Sequence, residues 1–184
     1  MATNKKQRKM VDKLLTSFGL VATIVLLVMG GLAWATYSYT TSNVRTELAA
    51  QKVYFPPKGS PAITALPAAD QTQMNKYAGD QLLNGDQAKV YANNFIAFHL
   101  TEVAGGLTYA QVSTESLANP TNTTLKAQAA VLFQGETLRG LLLGDAYAFW
   151  TVGMVAQIAA IVLFTTGALM LILVLFGLGH IAAS

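Results

Sequence analysis

The chain contains no cysteine and only two histidines among its 184 residues. Without cysteine it can form no disulfide, no thiolate metal site and no lipid attachment through sulfur. His180 lies 35 residues beyond Asp145 in a segment predicted to be helical, a path of roughly 50 Å. Because His99 precedes that segment, the two imidazoles cannot bind one metal ion. A two-histidine iron, copper or zinc site is therefore excluded within a single copy.

Charge is absent from two long stretches, residues 14–44 and 146–184. Each stretch exceeds the roughly 20 apolar residues that a helix needs to cross the hydrocarbon core of a bilayer. The sequence therefore predicts an all-α membrane protein. Its expected fold is an antiparallel hairpin of two long transmembrane helices with a small helical extracytoplasmic domain.

Cations cluster before the first apolar stretch, where Lys5, Lys6, Arg8, Lys9 and Lys13 accompany the single Asp12. Short cytoplasmic flanks retain Lys and Arg, so both termini are predicted to be cytoplasmic and the central region extracytoplasmic. Outside this tail the remaining seven cations and eight anions give a net charge of −1. That balance indicates no nucleic-acid-binding surface.

A basic start followed by an apolar stretch also describes a signal peptide, and 33–35 (Ala-Trp-Ala) has an acceptable cleavage pattern. The apolar stretch before that site runs about 19 residues, against the 7 to 15 usual for a signal, and an uncleaved anchor is therefore expected. The predicted segments are a basic cytoplasmic tail (1–13), transmembrane helix 1 (14–37), an extracytoplasmic helical region including helix extensions (38–145), transmembrane helix 2 (146–178) and a cytoplasmic C-terminus (179–184). Aromatic residues near 34–39 and 147–150 support one outer interface.

Good helix formers continue past Val44 to about Val53, so the first helix is predicted to extend beyond the bilayer. Prolines and glycine at 56–67 then predict an irregular or polyproline-like connector. Asp70 is a predicted N-cap, 84–85 a helix stop, and Asp86 the N-cap of a helix over 86–104. Thr108 and Gln111 have capping-box spacing. After the turn at 119–122, one long helix is predicted from about Thr123 through the second span.

Small residues recur at three- and four-residue spacing within both spans. Such residues let membrane helices approach closely, so the two stripes are expected to face each other or a partner helix, although Gly and Ala are also simply common in membrane helices. Gln157 needs a hydrogen-bond partner in hydrocarbon, which a threonine or carbonyl of the first helix could supply. The predicted helix-packing residues are Gly19, Thr23, Gly30, Gly153, Gln157, Ala160 and Gly167.

One face of the 86–104 helix carries the most distinctive polar pair, His99 and Glu102, spaced i and i+3. Three roles compete: a hydrogen-bonded structural pair, part of a metal site shared with another subunit, or a self-contained pair of metal ligands. Burial of either side chain without a partner would be costly, so the structural pair is preferred. Arg139, three residues after Glu136, is expected to pair with Glu102 or with a carboxylate of a neighbour. A candidate pocket for a hydrophobic ligand comprises Tyr91, Phe95, Phe98, His99 and Arg139.

Three segments carry a family resemblance: 88–99 (Ala-Lys-Val-Tyr-Ala-Asn-Asn-Phe-Ile-Ala-Phe-His), 105–113 (Gly-Gly-Leu-Thr-Tyr-Ala-Gln-Val-Ser) and 133–143 (Phe-Gln-Gly-Glu-Thr-Leu-Arg-Gly-Leu-Leu-Leu). The chain resembles, over most of residues 40–175, a group of small actinobacterial-type two-span membrane proteins of uncharacterised activity. Some of these have been called aromatic-ring-opening dioxygenases. The histidine inventory argues against that name here, and no functional residue is carried over.

No phosphate loop, dinucleotide fingerprint, nucleophile elbow or ferritin-like ligand set occurs, and no cofactor is predicted. The preferred function is a non-catalytic accessory or structural subunit of a larger membrane assembly, at most a non-catalytic part of an enzyme complex. Its expected partners are the lipid bilayer and other integral membrane subunits, with self-association as a further option. One alternative is an extracytoplasmic module that binds a small hydrophobic ligand such as a lipid or quinone. The other is a subunit contributing His99 and Glu102 to a shared metal site of a membrane oxidoreductase.

Overall fold

A computed structural model of the chain describes residues 2–183, with side chains from residue 5 onward. In this part of the chain the only regular elements are helices, which confirms the all-α prediction. The elements are α1 (Ala2–Gln51), α2 (Pro61–Thr64), α3 (Ala68–Met74), α4 (Gly85–Val90), π1 (Tyr91–Ile96), α5 (Ala97–Ala104), α6 (Tyr109–Ala118), α7 (Thr123–Leu141), π2 (Leu142–Ala148) and α8 (Phe149–Ala183).

Two helices are long and apolar enough to cross a membrane. The first covers Lys5–Gln51, and the second covers Thr123–Ala183 because α7, π2 and α8 follow one another without a break. Their most apolar windows have mean hydropathies of 2.2 and 2.7, yet only 17% of each window is buried. Most of this apolar surface therefore faces outward. The predicted continuation of the first helix past Val44, and the single long helix from Thr123, are both confirmed.

By its contacts the chain divides into two compact units. The helix-pair unit comprises the chain up to Tyr39 and again from Gly153 onward. The helical unit is Thr40–Val152. Each long helix contributes residues to both.

The helical unit has a core built from side chains of several short segments. Phe55, Ile63, Met74 and Leu82 are at most 2% exposed. They cluster with buried residues of α1 and π2, and a second, smaller cluster joins α5, α6 and α7 around Leu132. The connector between α1 and α4 is thus held by packing, although it contains little regular structure.

Several helix starts differ from the predictions. Pro67, not Asp70, occupies the N-cap of α3, and Asp70 lies in the first turn, where it accepts a 2.6 Å hydrogen bond from the Asn94 amide. Asn84 begins a helix instead of ending one, because its Oδ1 accepts the Gln87 backbone N–H at 2.9 Å. That places Asp86 inside the first turn, where a carboxylate is favoured by the helix dipole.

The proline-rich connector also contains a helical turn that was predicted to be absent. Pro61 is the first residue of α2, a position where its missing N–H costs nothing and its fixed φ favours the helix. The capping box is confirmed: the Gln111 side chain accepts the Thr108 N–H at 2.8 Å, and Thr108 accepts the Gln111 N–H at 3.3 Å. Asn122 caps α7.

The predicted 86–104 helix is present but is interrupted by π1. A π-turn accommodates an extra residue, so every side chain after it is rotated by about 100° relative to an unbroken α-helix. Before π1, Gly85, Gln87 and Ala88 are buried, Ala88 as expected, while after it Leu100 and Ala104 are buried. An unbroken helix would have turned residues 99 and 103 inward instead.

Candidate functional site

His99 and Glu102 are both exposed, so their predicted inward orientation is wrong. The rotation introduced by π1 is the physical reason. His99 lies over the Phe95 ring with 4.5 Å between centroids, and its Nδ1 is 2.8 Å from the Phe95 carbonyl oxygen. Glu102 forms no hydrogen bond or ion pair with it. Among the described residues no group of three or more His, Asp or Glu side chains is placed to hold a metal ion.

The predicted ligand pocket is occupied by its own aromatic rings. Tyr91 packs edge-on against Phe55 at 5.3 Å and tilts against Phe95 at 5.0 Å, and the row continues to His99. Phe98 meets the His99 ring edge-on at 5.6 Å. Aromatic rings at these separations are in favourable contact, so the rings fill the space that a ligand would need.

Arg139 is also not at the mouth of that pocket. Its Nη1 donates to Glu136 Oε2 at 2.9 Å, and its Nη2 lies 3.4 Å from Asn93 Oδ1. Its Nε is buried without a hydrogen-bond partner. The expected pairing with Glu102 is therefore replaced by a pair within α7, joined to π1 through an amide.

Burial raises the pKa of the Tyr91 hydroxyl above its usual value near 10. Above about pH 10 the unfolded chain loses this proton while the folded chain keeps it, so stability is expected to fall as the pH rises. The Tyr91→Phe variant should lose less stability than the wild type between pH 9 and pH 11, measured by thermal unfolding of the full chain in mild detergent. An equal loss in both proteins would contradict this assignment, and Tyr109→Phe, at an exposed hydroxyl, is the control.

All of the predicted packing residues of the helix-pair unit are buried except Gln157. A Cβ added to Gly19 would lie 3.0 Å from Val174, one on Gly30 within 3.0 Å of the Phe164 ring, and one on Gly167 3.0 Å from Leu27. Thr23 is 2% exposed and donates to the Gly19 carbonyl at 2.8 Å, Ala160 is fully buried, and Gly153 is buried. Gln157 is half-buried, and its amide makes no hydrogen bond to any described residue.

A groove that the sequence did not predict lies in the helical unit, between the end of α1 and the helix formed by α7 and π2. Its deeper part is a cavity of about 290 Å³. A second hollow of about 460 Å³ shares Asn43, Asp145 and Phe149 with it and reaches Val152. The groove (the acidic groove below) is lined by Asn43, Val44, Glu47, Leu48, Gln51, Leu138, Leu141, Leu142, Gly144, Asp145, Ala146, Ala148, Phe149 and Val152.

Polar groups of the acidic groove come from both walls. Asn43, Glu47 and Gln51 follow one another at four-residue spacing on α1, which places them on one helix face. Asp145 projects from π2 on the other wall. Neither carboxylate forms an ion pair or a side-chain hydrogen bond with a described residue. The four-residue spacing of the α1 side chains could be read from the sequence. The sequence did not show which other helix would lie opposite them.

π2 shapes the opposite wall. Gly144 has open space where a side chain would begin, so the groove remains wide at this point. π-turns within helices are frequently found at functional sites. The groove therefore combines a locally irregular helix, two unpaired carboxylates and a floor of leucine and phenylalanine side chains.

Comparison of the chain with protein-family models, with curated proteins and with solved structures finds no match.

Proposed function

We propose that the chain is a two-span membrane protein that acts as a non-catalytic accessory subunit of a larger membrane assembly. In this arrangement the helix-pair unit is an antiparallel hairpin in the bilayer, both termini are cytoplasmic, and the helical unit is extracytoplasmic. The basic residues before the first span support this orientation.

Contacts in the helix-pair unit support the hairpin. The contacts pair Thr16 with Gly177, Gly19 with Val174, Leu27 with Gly167 and Gly30 with Phe164. The residue numbers therefore rise along one helix as they fall along the other. Close contact through glycine is the expected way for two helices to associate in lipid. The rings of Trp34 and Tyr37, 5.3 Å apart, are suited to the headgroup level at the outer end of the first span.

The observation that carries the accessory role is exposed apolar surface on α6 and α7, outside the proposed spans. Leu117 is 80% exposed, Phe133 57% and Tyr109 38%, and the rings of Tyr109 and Phe133 lie 5.8 Å apart where the two helices pack. Single exposed apolar residues are ordinary, but several on two packed helices indicate a surface that another protein covers. We take this surface as the subunit interface.

The orientation can be tested by labelling because the chain contains no native cysteine. Lys5→Cys and Lys58→Cys are single-cysteine variants at exposed positions. A membrane-impermeant maleimide applied to intact cells should label the Lys58→Cys protein and leave the Lys5→Cys protein unlabelled until the membrane is permeabilised. Equal labelling of both before permeabilisation would overturn the two-span topology.

The accessory role is tested by gentle detergent extraction from native membranes and mass spectrometry of the proteins that migrate with the chain. Defined integral membrane subunits should co-migrate, and Phe133→Glu or Leu117→Glu should reduce their amount several-fold. Glu115→Gln, an exposed change on the same helix as Leu117, should leave them in place. A monodisperse chain that migrates alone would refute the proposal.

A further inference from the structure

The acidic groove has a chemical character that goes beyond a subunit interface. Its two charged side chains are both carboxylates, Glu47 and Asp145, while its floor is formed by leucine and phenylalanine side chains. We infer that the groove binds a long-chain amine: a cationic amine head between Glu47 and Asp145, with its alkyl chain along Leu141, Leu142 and Phe149.

The two carboxylates of the groove favour a ligand with a positively charged head group. The carboxylates approach the groove from opposite walls, and no cation of the described chain pairs with either. A primary ammonium carries three N–H donors, which match carboxylate oxygens and the amide oxygens of Asn43 and Gln51. An anionic head such as a fatty acid carboxylate would be repelled by both acids.

The apolar floor of the groove favours a ligand with an alkyl chain. Leu48 and Leu142 are buried at the base, whereas Leu141 is 53% and Leu138 44% exposed beside it. A soluble polyamine would leave these side chains in contact with water, while an alkyl chain would cover them. The groove continues past Ala148 and Phe149 to Val152, so the alkyl chain has apolar side chains along this part of its path.

The size of the groove favours a chain-like ligand over a protein helix. Its deeper cavity of about 290 Å³ and the adjoining hollow of about 460 Å³ are typical of small-molecule sites. A helix is about 10–12 Å across with its side chains, so one turn of 5.4 Å occupies roughly 400–600 Å³. That is more than the deeper cavity of about 290 Å³ holds. A Lys-bearing partner helix is therefore the less suitable occupant.

Two glycines of the same long helix offer matched variants. Gly144 lines the groove and has open space at its Cβ position, so Gly144→Leu should narrow the groove without a clash in the fold. Gly140 also has open space but does not line the groove, so Gly140→Leu is the control. Glu47→Gln with Asp145→Asn removes both charges, and Glu115→Gln removes one elsewhere.

The experiment uses the full chain in neutral phosphatidylcholine nanodiscs and a hexadecylamine carrying a diazirine in its chain. After irradiation, labelled peptides are mapped by mass spectrometry. Label is expected in segments 43–51 and 138–152 of the wild type. It should fall at least fivefold in the double charge variant and in Gly144→Leu, and remain at the wild-type level in Gly140→Leu and Glu115→Gln.

The same probe with an alcohol or carboxylate head tests the charge, and competition with spermidine tests the tail. Equal labelling by the alcohol would refute charge selection, and displacement by spermidine as effective as that by unlabelled hexadecylamine would refute the need for a tail. Absence of label from both segments would overturn the proposal and favour a protein occupant. The result is independent of the accessory role, because the purified chain is used without partners.

Discussion

Replacing Gly85 by alanine is expected to destabilise the helical unit by about 3 kcal/mol, at the upper end of the range for overpacking. A Cβ at this position would lie within 3.0 Å of the Cβ, Cγ and Cδ1 atoms of Trp150. The Cβ of Trp150 is fixed to its backbone, so no side-chain rotation can relieve the clash. Thermal unfolding of the full chain in mild detergent, followed by near-ultraviolet circular dichroism, measures the loss.

Gly144→Ala is the matched control for this clash. Its added methyl group meets no atom within 4 Å, and alanine is favoured over glycine within a helix by up to about 1 kcal/mol. Stability should therefore be unchanged or slightly increased. If Gly85→Ala unfolds at the same temperature as Gly144→Ala, the close packing of α4 against Trp150 is incorrect.

The second large effect is expected for Phe55→Ala, at about 3–5 kcal/mol. Phe55 is 2% exposed and contacts the rings of Tyr77 and Tyr91 at 5.4 and 5.3 Å. Its removal leaves a cavity where the segment after α1 joins π1, and it also removes two aromatic contacts. The same unfolding measurement applies, with loss of tyrosine ellipticity as a second readout.

Phe133→Ala removes the same number of atoms from an exposed position. Phe133 is 57% exposed and contacts one ring, Tyr109, at 5.8 Å. Its loss is expected to cost about 1 kcal/mol or less, because little buried surface is removed. Equal destabilisation by the two substitutions would mean that the Phe55 cluster is not the centre of this core.

The coarse architecture could be predicted because it depends on features that are local in sequence. Two uncharged stretches longer than a bilayer is thick, and proline-free segments of good helix formers, predict long helices without reference to the rest of the chain. The capping box at Thr108 was equally readable, since both of its hydrogen bonds lie within four residues.

The side-chain directions beyond residue 91 could not be predicted, because π1 has no recognised sequence signal. A regular period of 3.6 residues places His99 and Glu102 on the inner face, and one additional residue in a turn moves them outward. Every hypothesis built on those two side chains depended on that period. The acidic groove was missed for a different reason: Glu47 and Asp145 are almost 100 residues apart, and only the tertiary packing brings their helices together.

The π-turn at π1 also determines where the chain can change length. Removing one residue between Val90 and Ala97 would restore an ordinary helix and bring Leu100 to the position that residue 99 has in an unbroken helix, so Leu100 and Ala104 would still face the cluster around Leu132. Insertions are also tolerated at Gly105 and Gly106, an exposed turn where both φ angles are positive and an added Cβ atom would meet no other atom within 4 Å. Loss of a single residue should therefore be tolerated within π1, and insertions should accumulate at the turn of Gly105 and Gly106.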